Sequence, residues 1–345
     1  MRIRKAAVLA VVVVLAVLAV LAVLAVPAVL GSCEDSAVTG PPVDATLQAQ
    51  IDRGRYLVNH VSQCSFCHTP LLPDGTRDLT RFLAGVPALI DTDRMDPDVG
   101  LMPAPNLTPD ATGIANFTDD ALVDAIKNGT KLDGSGAIQV HPSPVYSNMT
   151  DDDVRAIVAY LRALPAIANP IPPRQPPWTL MPARPPLDFS GYPMPQGLTG
   201  ADQDSAVRGR YLVGAAGLCN QCHSPPGNGL PDPARYLSGG VGIRKEQLYG
   251  SLPGFPAMIF GANITPDATG IAGFTLDDIR NVFRKGQDPT GQCLCAPTHG
   301  SPAAPFAGMT DDDVDDIGRF LLAIPPIEND AAQPVACSAP GFCVP

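Results

Sequence analysis

Cys64-Ser65-Phe66-Cys67-His68 and Cys219-Asn220-Gln221-Cys222-His223 share the spacing Cys-x-x-Cys-His and stand 155 residues apart. In such a run the two thiols form thioethers with the vinyl groups of a haem, and the adjacent histidine faces the iron. Two intervening residues let both sulfurs reach one porphyrin edge while the chain turns the imidazole beneath the ring. A zinc or redox dithiol with a coincidental histidine is the competing reading, and two matches in one repeated frame weigh against it. The runs therefore predict two covalently bound haem c groups. Cys64, Cys67, Cys219 and Cys222 would attach them, and His68 and His223 would be the proximal iron ligands.

The flanking sequence repeats in the same order. Arg53-Gly54-Arg55-Tyr56-Leu57-Val58 returns as Arg208-Gly209-Arg210-Tyr211-Leu212-Val213, each starting eleven residues before its first haem cysteine. Asn106-Leu107-Thr108-Pro109-Asp110-Ala111-Thr112-Gly113-Ile114 matches Asn263-Ile264-Thr265-Pro266-Asp267-Ala268-Thr269-Gly270-Ile271. Met149-Thr150-Asp151-Asp152-Asp153-Val154 matches Met309-Thr310-Asp311-Asp312-Asp313-Val314. The offset grows from 155 to 157 to 160, which places insertions in the connecting loops of a duplicated folding unit.

Each unit reads as mostly α. A first helix is expected from Leu47 to Ser62, leading into the haem motif. A middle helix is expected from Thr118, with Gly129 as its stop, and a last helix from the N-cap Thr150 to just before Pro165. Val154, Ile157, Val158 and Leu161 give that last helix an apolar stripe. The second unit repeats the pattern over Thr275–Lys285 and Thr310–Ala323. The aspartate runs read as first-turn residues that complement the helix dipole rather than as a metal site. Residues 165–195 hold eleven prolines and no helical period, so a semi-rigid extended linker is expected there. Trp178, the only tryptophan, lies within it and is expected to pin it to a domain.

These residues resemble the class I c-type cytochromes, and most of all the haem modules in cytochrome subunits that accept electrons from periplasmic dehydrogenases. The resemblance covers residues 50–165 and 205–326. It rests on Gly-x-Tyr-Leu before the haem cysteines, on the Asn-Leu-Thr-Pro-Asp loop and on the Met-Thr-Asp-Asp-Asp-Val helix start. It implies two tandem cytochrome c-type helical haem domains joined by a Pro-rich linker. In each, the first and last helices would cross, with Gly54 and Gly209 permitting close approach opposite Tyr160 and Phe320.

The family places a distal methionine nine residues before the threonine that opens the last helix. Here that position is His141 in the first unit and Ser301 in the second, with His299 two residues upstream of Ser301. His141 and His299 are thus the candidate distal ligands, and a second imidazole in place of a thioether would lower the redox potential. Met149 and Met309 are expected to pack ahead of the helix caps. His60 has Ala215 as its counterpart and is assigned at most packing at a haem edge.

Delivery is legible at the N-terminus. Arg2, Arg4 and Lys5 precede an apolar run over Ala6–Leu30, and Leu30-Gly31-Ser32-Cys33 resembles a lipoprotein cleavage box. Either lipid on Cys33 or an N-terminal membrane helix would anchor an exported bacterial protein facing the periplasm or cell exterior. The expected organisation is 1–32 targeting segment, 33–47 tether, 48–165 first haem domain, 166–203 linker, 204–327 second haem domain and 328–345 tail. Cys293, Cys295, Cys337 and Cys343 make an even set suited to disulfides in an oxidising compartment. Without residues 1–32 the chain keeps 20 Lys+Arg against 34 Asp+Glu, a net charge of −14 that argues against nucleic-acid binding.

The function expected is a membrane-tethered dihaem cytochrome carrying single electrons between exported redox proteins. Its donor and acceptor would be redox proteins, a periplasmic dehydrogenase among them. The chain reads as a carrier, or as an electron-transfer subunit of an oxidoreductase complex, rather than as an enzyme in its own right. The alternative is a dihaem peroxidase-like enzyme with an open distal site on the second haem.

Overall fold

A computed structural model of the chain describes residues 44–72, 76–90, 102–130, 141–176, 184–227, 229–244, 258–294, 299 and 305–330. The expected targeting segment, most of the tether, Cys33, Trp178, Ser301, Cys295, Cys337 and Cys343 lie outside the described residues. Cys293 is disulfide-bonded. Among the described residues no helix is long and apolar enough to cross a membrane.

The fold is mostly helical, and the repeat is carried through in three dimensions. Helix α1 (Ala45–Tyr56) runs on into a five-residue π-helical segment, Leu57–Val61, closed by Ser62 N–H donating to the Leu57 carbonyl at 2.7 Å. Its counterpart (Gly200–Tyr211) does the same over Leu212–Ala216, with Gly217 N–H on the Leu212 carbonyl at 2.6 Å. The wider turn adds a residue to the cycle and re-aims the chain beyond it, a device common beside functional sites. It buries Leu57, Val58 and Val61 completely and delivers Gln63 to the start of the haem motif.

The helices expected in the middle and at the end of each unit form where their caps lie. Thr118, Thr150 and Thr310 each accept from the N–H three residues on, at 3.2 Å. Thr275 does likewise and is answered by Asp278, a reciprocal capping box. These caps open helices Asp119–Asn128, Asp151–Ala163, Leu276–Lys285 and Asp311–Leu322. Gly129 and Gly286 end the middle pair in left-handed conformation, φ 66° and 64°. The aspartate runs are first-turn residues, and no cluster of metal-ligating side chains occurs among the described residues.

First and last helices of each unit cross at their glycines. A Cβ on Gly54 would overlap the Ala156 carbonyl and crowd Tyr160, and one on Gly209 would overlap the Asp316 carbonyl and crowd Ile317. In the second unit the contact is therefore with the Asp316–Ile317 backbone, and Phe320 is buried alongside it in the core.

Each repeat continues past the residue where the helical pattern ends. The Ile167 carbonyl accepts from Asn106 Nδ2 at 2.8 Å, and Asn169 donates to the Ala84 carbonyl at 2.8 Å. Ile327 and Asn329 repeat both contacts on Asn263 (2.7 Å) and on the Ser238 carbonyl (2.9 Å). The proline-rich segment thus begins as a strap over the first unit. Further on, Leu187 N–H bonds the Pro144 carbonyl of the first unit at 2.8 Å, and Tyr192 Oη donates to the Pro231 carbonyl of the second at 2.5 Å. The two units share one continuous apolar core.

Candidate haem sites

Each haem motif is a single helical turn, Cys64–His68 or Cys219–His223, fixed at both ends. Before it stands a non-glycine residue in left-handed conformation, Gln63 (φ 55°) or Leu218 (φ 58°), a geometry that L-residues adopt at a cost. After it the histidine carbonyl accepts from a glycine, Gly85 at 2.8 Å in the first unit and Gly239 at 2.7 Å in the second.

The imidazoles are oriented by the repeated loops. His68 Nδ1–H donates to the Pro105 carbonyl at 2.8 Å, and His223 Nδ1–H donates to the Ala262 carbonyl at 2.7 Å. Those carbonyls directly precede Asn106 and Asn263. Each asparagine locks its loop by accepting from Thr108 N–H (2.9 Å) or Thr265 N–H (3.0 Å). With the proton held on Nδ1, the Nε2 lone pair is free for a metal, and a carbonyl partner of this kind is the usual support of a ligating histidine. Burial lowers the proton affinity of both rings, against the opposing effect of the carbonyls.

None of the four motif cysteines is in a disulfide, so their sulfurs are available for thioether bonds. Burial pushes Cys64 and Cys219 up to about 12 and Cys222 up to about 11, and moves Cys67 in the same direction. Cys219 and Cys222 stand beside an apolar cavity, where thioether bonds to a haem vinyl group need no charged sulfur.

In the second unit Cys219, Cys222 and His223 line a cavity of about 460 Å³. Across it stands His299, packed against Phe283 (centroids 6.0 Å apart) and Phe306 (6.3 Å), which also pack on each other at 5.8 Å. The His223 and His299 ring centres are 6.3 Å apart with 21° between their planes. That spacing suits two imidazoles sharing one metal ion at bonds of about 2 Å. His299 Nδ1 is buried without a hydrogen-bond partner, and burial, reinforced by His223, pushes the ring's pKa down to about 3. Two thiols, an imidazole with a free Nε2 and an opposing imidazole with an unpaired nitrogen form a donor set that fits a haem.

The first unit is arranged differently around its candidate. His141 packs edge-on to Tyr146 at 6.2 Å, and Tyr146 Oη donates to the Ser62 carbonyl at 2.6 Å, two residues before Cys64. His141 Nδ1 accepts from Ser143 N–H at 3.2 Å, which puts the neutral ring's proton on Nε2. Ligation through Nε2 requires that bond to be given up. Met149 and Met309 are buried in the core immediately before the helix caps.

Several site residues were not legible in sequence. Gln63, just before the first motif, and Phe66 within it line the cavity of the second, and Gln63 Nε2 donates to the Gly217 carbonyl at 3.3 Å. Phe283 stands where the first unit has Ile126, so the repeat carried no signal for it. The Pro105 and Ala262 carbonyls could have been found, because each precedes the repeated asparagine.

The sequence profile of the cbb3-type cytochrome c oxidase subunit III family matches residues 49–161. A protein described as "Diheme cytochrome c-type" from Cereibacter sphaeroides is 27% identical over 84% of this chain and 90% of its own length. The chain belongs to the dihaem c-type cytochromes. The cytochrome is also 27% identical, over 83% of its length, to the cytochrome c subunit of alcohol dehydrogenase (quinone) from Gluconacetobacter polyoxogenes. The gluconate 2-dehydrogenase cytochrome c subunit of Pantoea cypripedii is 26% identical to it over 89% of its length. The cytochrome spans 58% of the alcohol dehydrogenase subunit and 66% of the gluconate dehydrogenase subunit. Its cofactor is covalently bound haem c.

Proposed function

We propose that the cytochrome carries single electrons on two haems, attached through Cys64/Cys67 and Cys219/Cys222, with His68 and His223 as proximal ligands. Bound haem supplies a one-electron iron couple; the chain positions it, closes it to solvent ligands and sets its potential. The observation that carries the reading is the approach of His299 to His223 across the second cavity. A second imidazole there leaves no position for peroxide, which favours a carrier over the peroxidase-like alternative. In the first unit His141 takes the same role once its Nδ1 exchanges the Ser143 bond. Two imidazoles favour the ferric state relative to methionine–histidine ligation, within the roughly 0.8 V range that axial ligands and surroundings span.

The position of Gln63 and Phe66 in the wall of the second cavity supports transfer between the haems, since the two motifs abut. We further propose export, anchoring through lipid on Cys33 or through the apolar run at 6–30, and a dehydrogenase as electron donor. The apolar run supports the anchor, and the dehydrogenase cytochrome subunits among the relatives support the donor.

Low-temperature EPR of the oxidised protein tests the reading. Low-spin signals from both haems are expected, and a high-spin ferric signal near half the total iron would revive the peroxidase alternative. His141→Ala should turn the first haem high-spin, and an unchanged spectrum removes His141 from the ligand set. Cys33→Ser should release the protein or block its maturation if lipid is the anchor.

A further inference from the structure

We propose that His60 of the first unit is a positioning residue for the distal histidine of the second. The inference rests on the reading of His299 as an axial ligand. His60 Nδ1–H donates to the Pro305 carbonyl at 3.1 Å, across the boundary between the units. Its imidazole lies against Gly308, where any Cβ would overlap the ring. One turn earlier on the same helix, Tyr56 Oη accepts from Thr310 N–H at 3.1 Å and donates to Asp313 at 2.5 Å. Helix α1 of the first unit and its π-helical continuation therefore grip residues 305–313 of the second at two points.

The gripped segment carries Phe306, which is buried and lies nearly parallel to His299, 11° between planes. Phe306 and Phe283, in contact with each other, form the aromatic wall against which the His299 ring packs. A ligand from a loop stays on its metal only as well as its loop stays closed, so fixing the wall it packs on fixes the ligand. The latch is one-sided. Tyr211 repeats the Tyr56 contacts on Thr150 and Asp153, but Ala215 replaces His60 and has no ring to donate. The histidine without a counterpart thus serves the haem of the other unit.

The test uses purified holoprotein, with EPR of the oxidised form and carbon monoxide binding to the reduced form. His299→Ala identifies the low-spin signal of the second haem by its loss. His60→Ala should diminish that same signal and raise the carbon monoxide-binding fraction about fivefold, the factor carried by loss of one net hydrogen bond. Gly308→Ala, which pushes the latch from the other side, should do the same, and His60→Gln, which keeps a donor, should resemble the parent. If His299→Ala opens the haem but His60→Ala and Gly308→Ala leave it six-coordinate, His60 has no positioning role. Equal opening of both haems likewise overturns the inference, as general loosening. If His299→Ala leaves both low-spin signals intact, the ligand assignment beneath it is wrong.

Discussion

Tyr56 Oη donates to a carboxylate oxygen of Asp313 at 2.5 Å, joining residues 257 positions apart. The relation is returned: Tyr211 Oη donates to Asp153 at 2.6 Å. The first helix of each unit thereby supports the last helix of the other, at the capped end where three aspartates crowd. Asp153 also takes Arg53 at 2.8 Å from its own unit, so one carboxylate closes a contact within its unit and one between units.

Removing either hydroxyl should weaken the association of the halves. A hydrogen bond to a charged group contributes about 1.5–3 kcal/mol, and these are partly solvated, so Tyr56→Phe and Tyr211→Phe should each cost about 1–2 kcal/mol. At about 2–4 °C per kcal/mol the melting temperature falls by several degrees. Calorimetry on the two single variants and the double variant checks this; wild-type melting in all three would remove the crossed pairs from the interface.

The same pairs predict alkaline weakening. Burial, and then the Asp313 carboxylate, raise Tyr56 from 10.0 to about 12, and Tyr211 is raised by burial and by Asp153. Between these values the folded chain binds more protons than the unfolded one. Stability is fully present below pH 10 and declines as pH rises through that window. Denaturant midpoints followed from about pH 9 to about pH 12 should fall, and more shallowly in Tyr56→Phe.

Attachment can be counted. Replacing Cys219 and Cys222 together by alanine should halve the covalent haem per chain in a pyridine haemochrome assay, with the first haem retained. An undiminished count would exclude the second motif as an attachment site.

Helix crossing at glycine is equally direct to probe. Gly209→Ala drives a methyl into the Asp316 carbonyl and should cost about 1–3 kcal/mol, the range for overpacking. Gly191→Ala, where no atom lies within 4 Å of the added carbon, is the neutral control. Equal melting temperatures for the two variants would mean that the crossing tolerates separation.

Local signals are legible in the sequence because their physics is local. Thr118, Thr150, Thr275 and Thr310 cap helices with their own side chains, and the Cys-x-x-Cys-His turns define their chemistry within five residues. The first helix ended in a π segment rather than in plain α, because the extra residue answers to burial of Leu57, Val58 and Val61 and not to any local preference. His60 looked incidental for a similar reason: its partner, Pro305, lies 245 residues away.

By itself the sequence determined the cofactor, the duplication and the helical frame, since each depends on residues a few positions apart or on identity between repeats. Only tertiary structure decided that His299 stands across the cavity from His223 while His141 bonds Ser143. It also decided that the halves are interlocked through Tyr56, Tyr211, Gln63 and His60. Those contacts arise between surfaces that the chain brings together only on folding, and no spacing along the sequence encodes them.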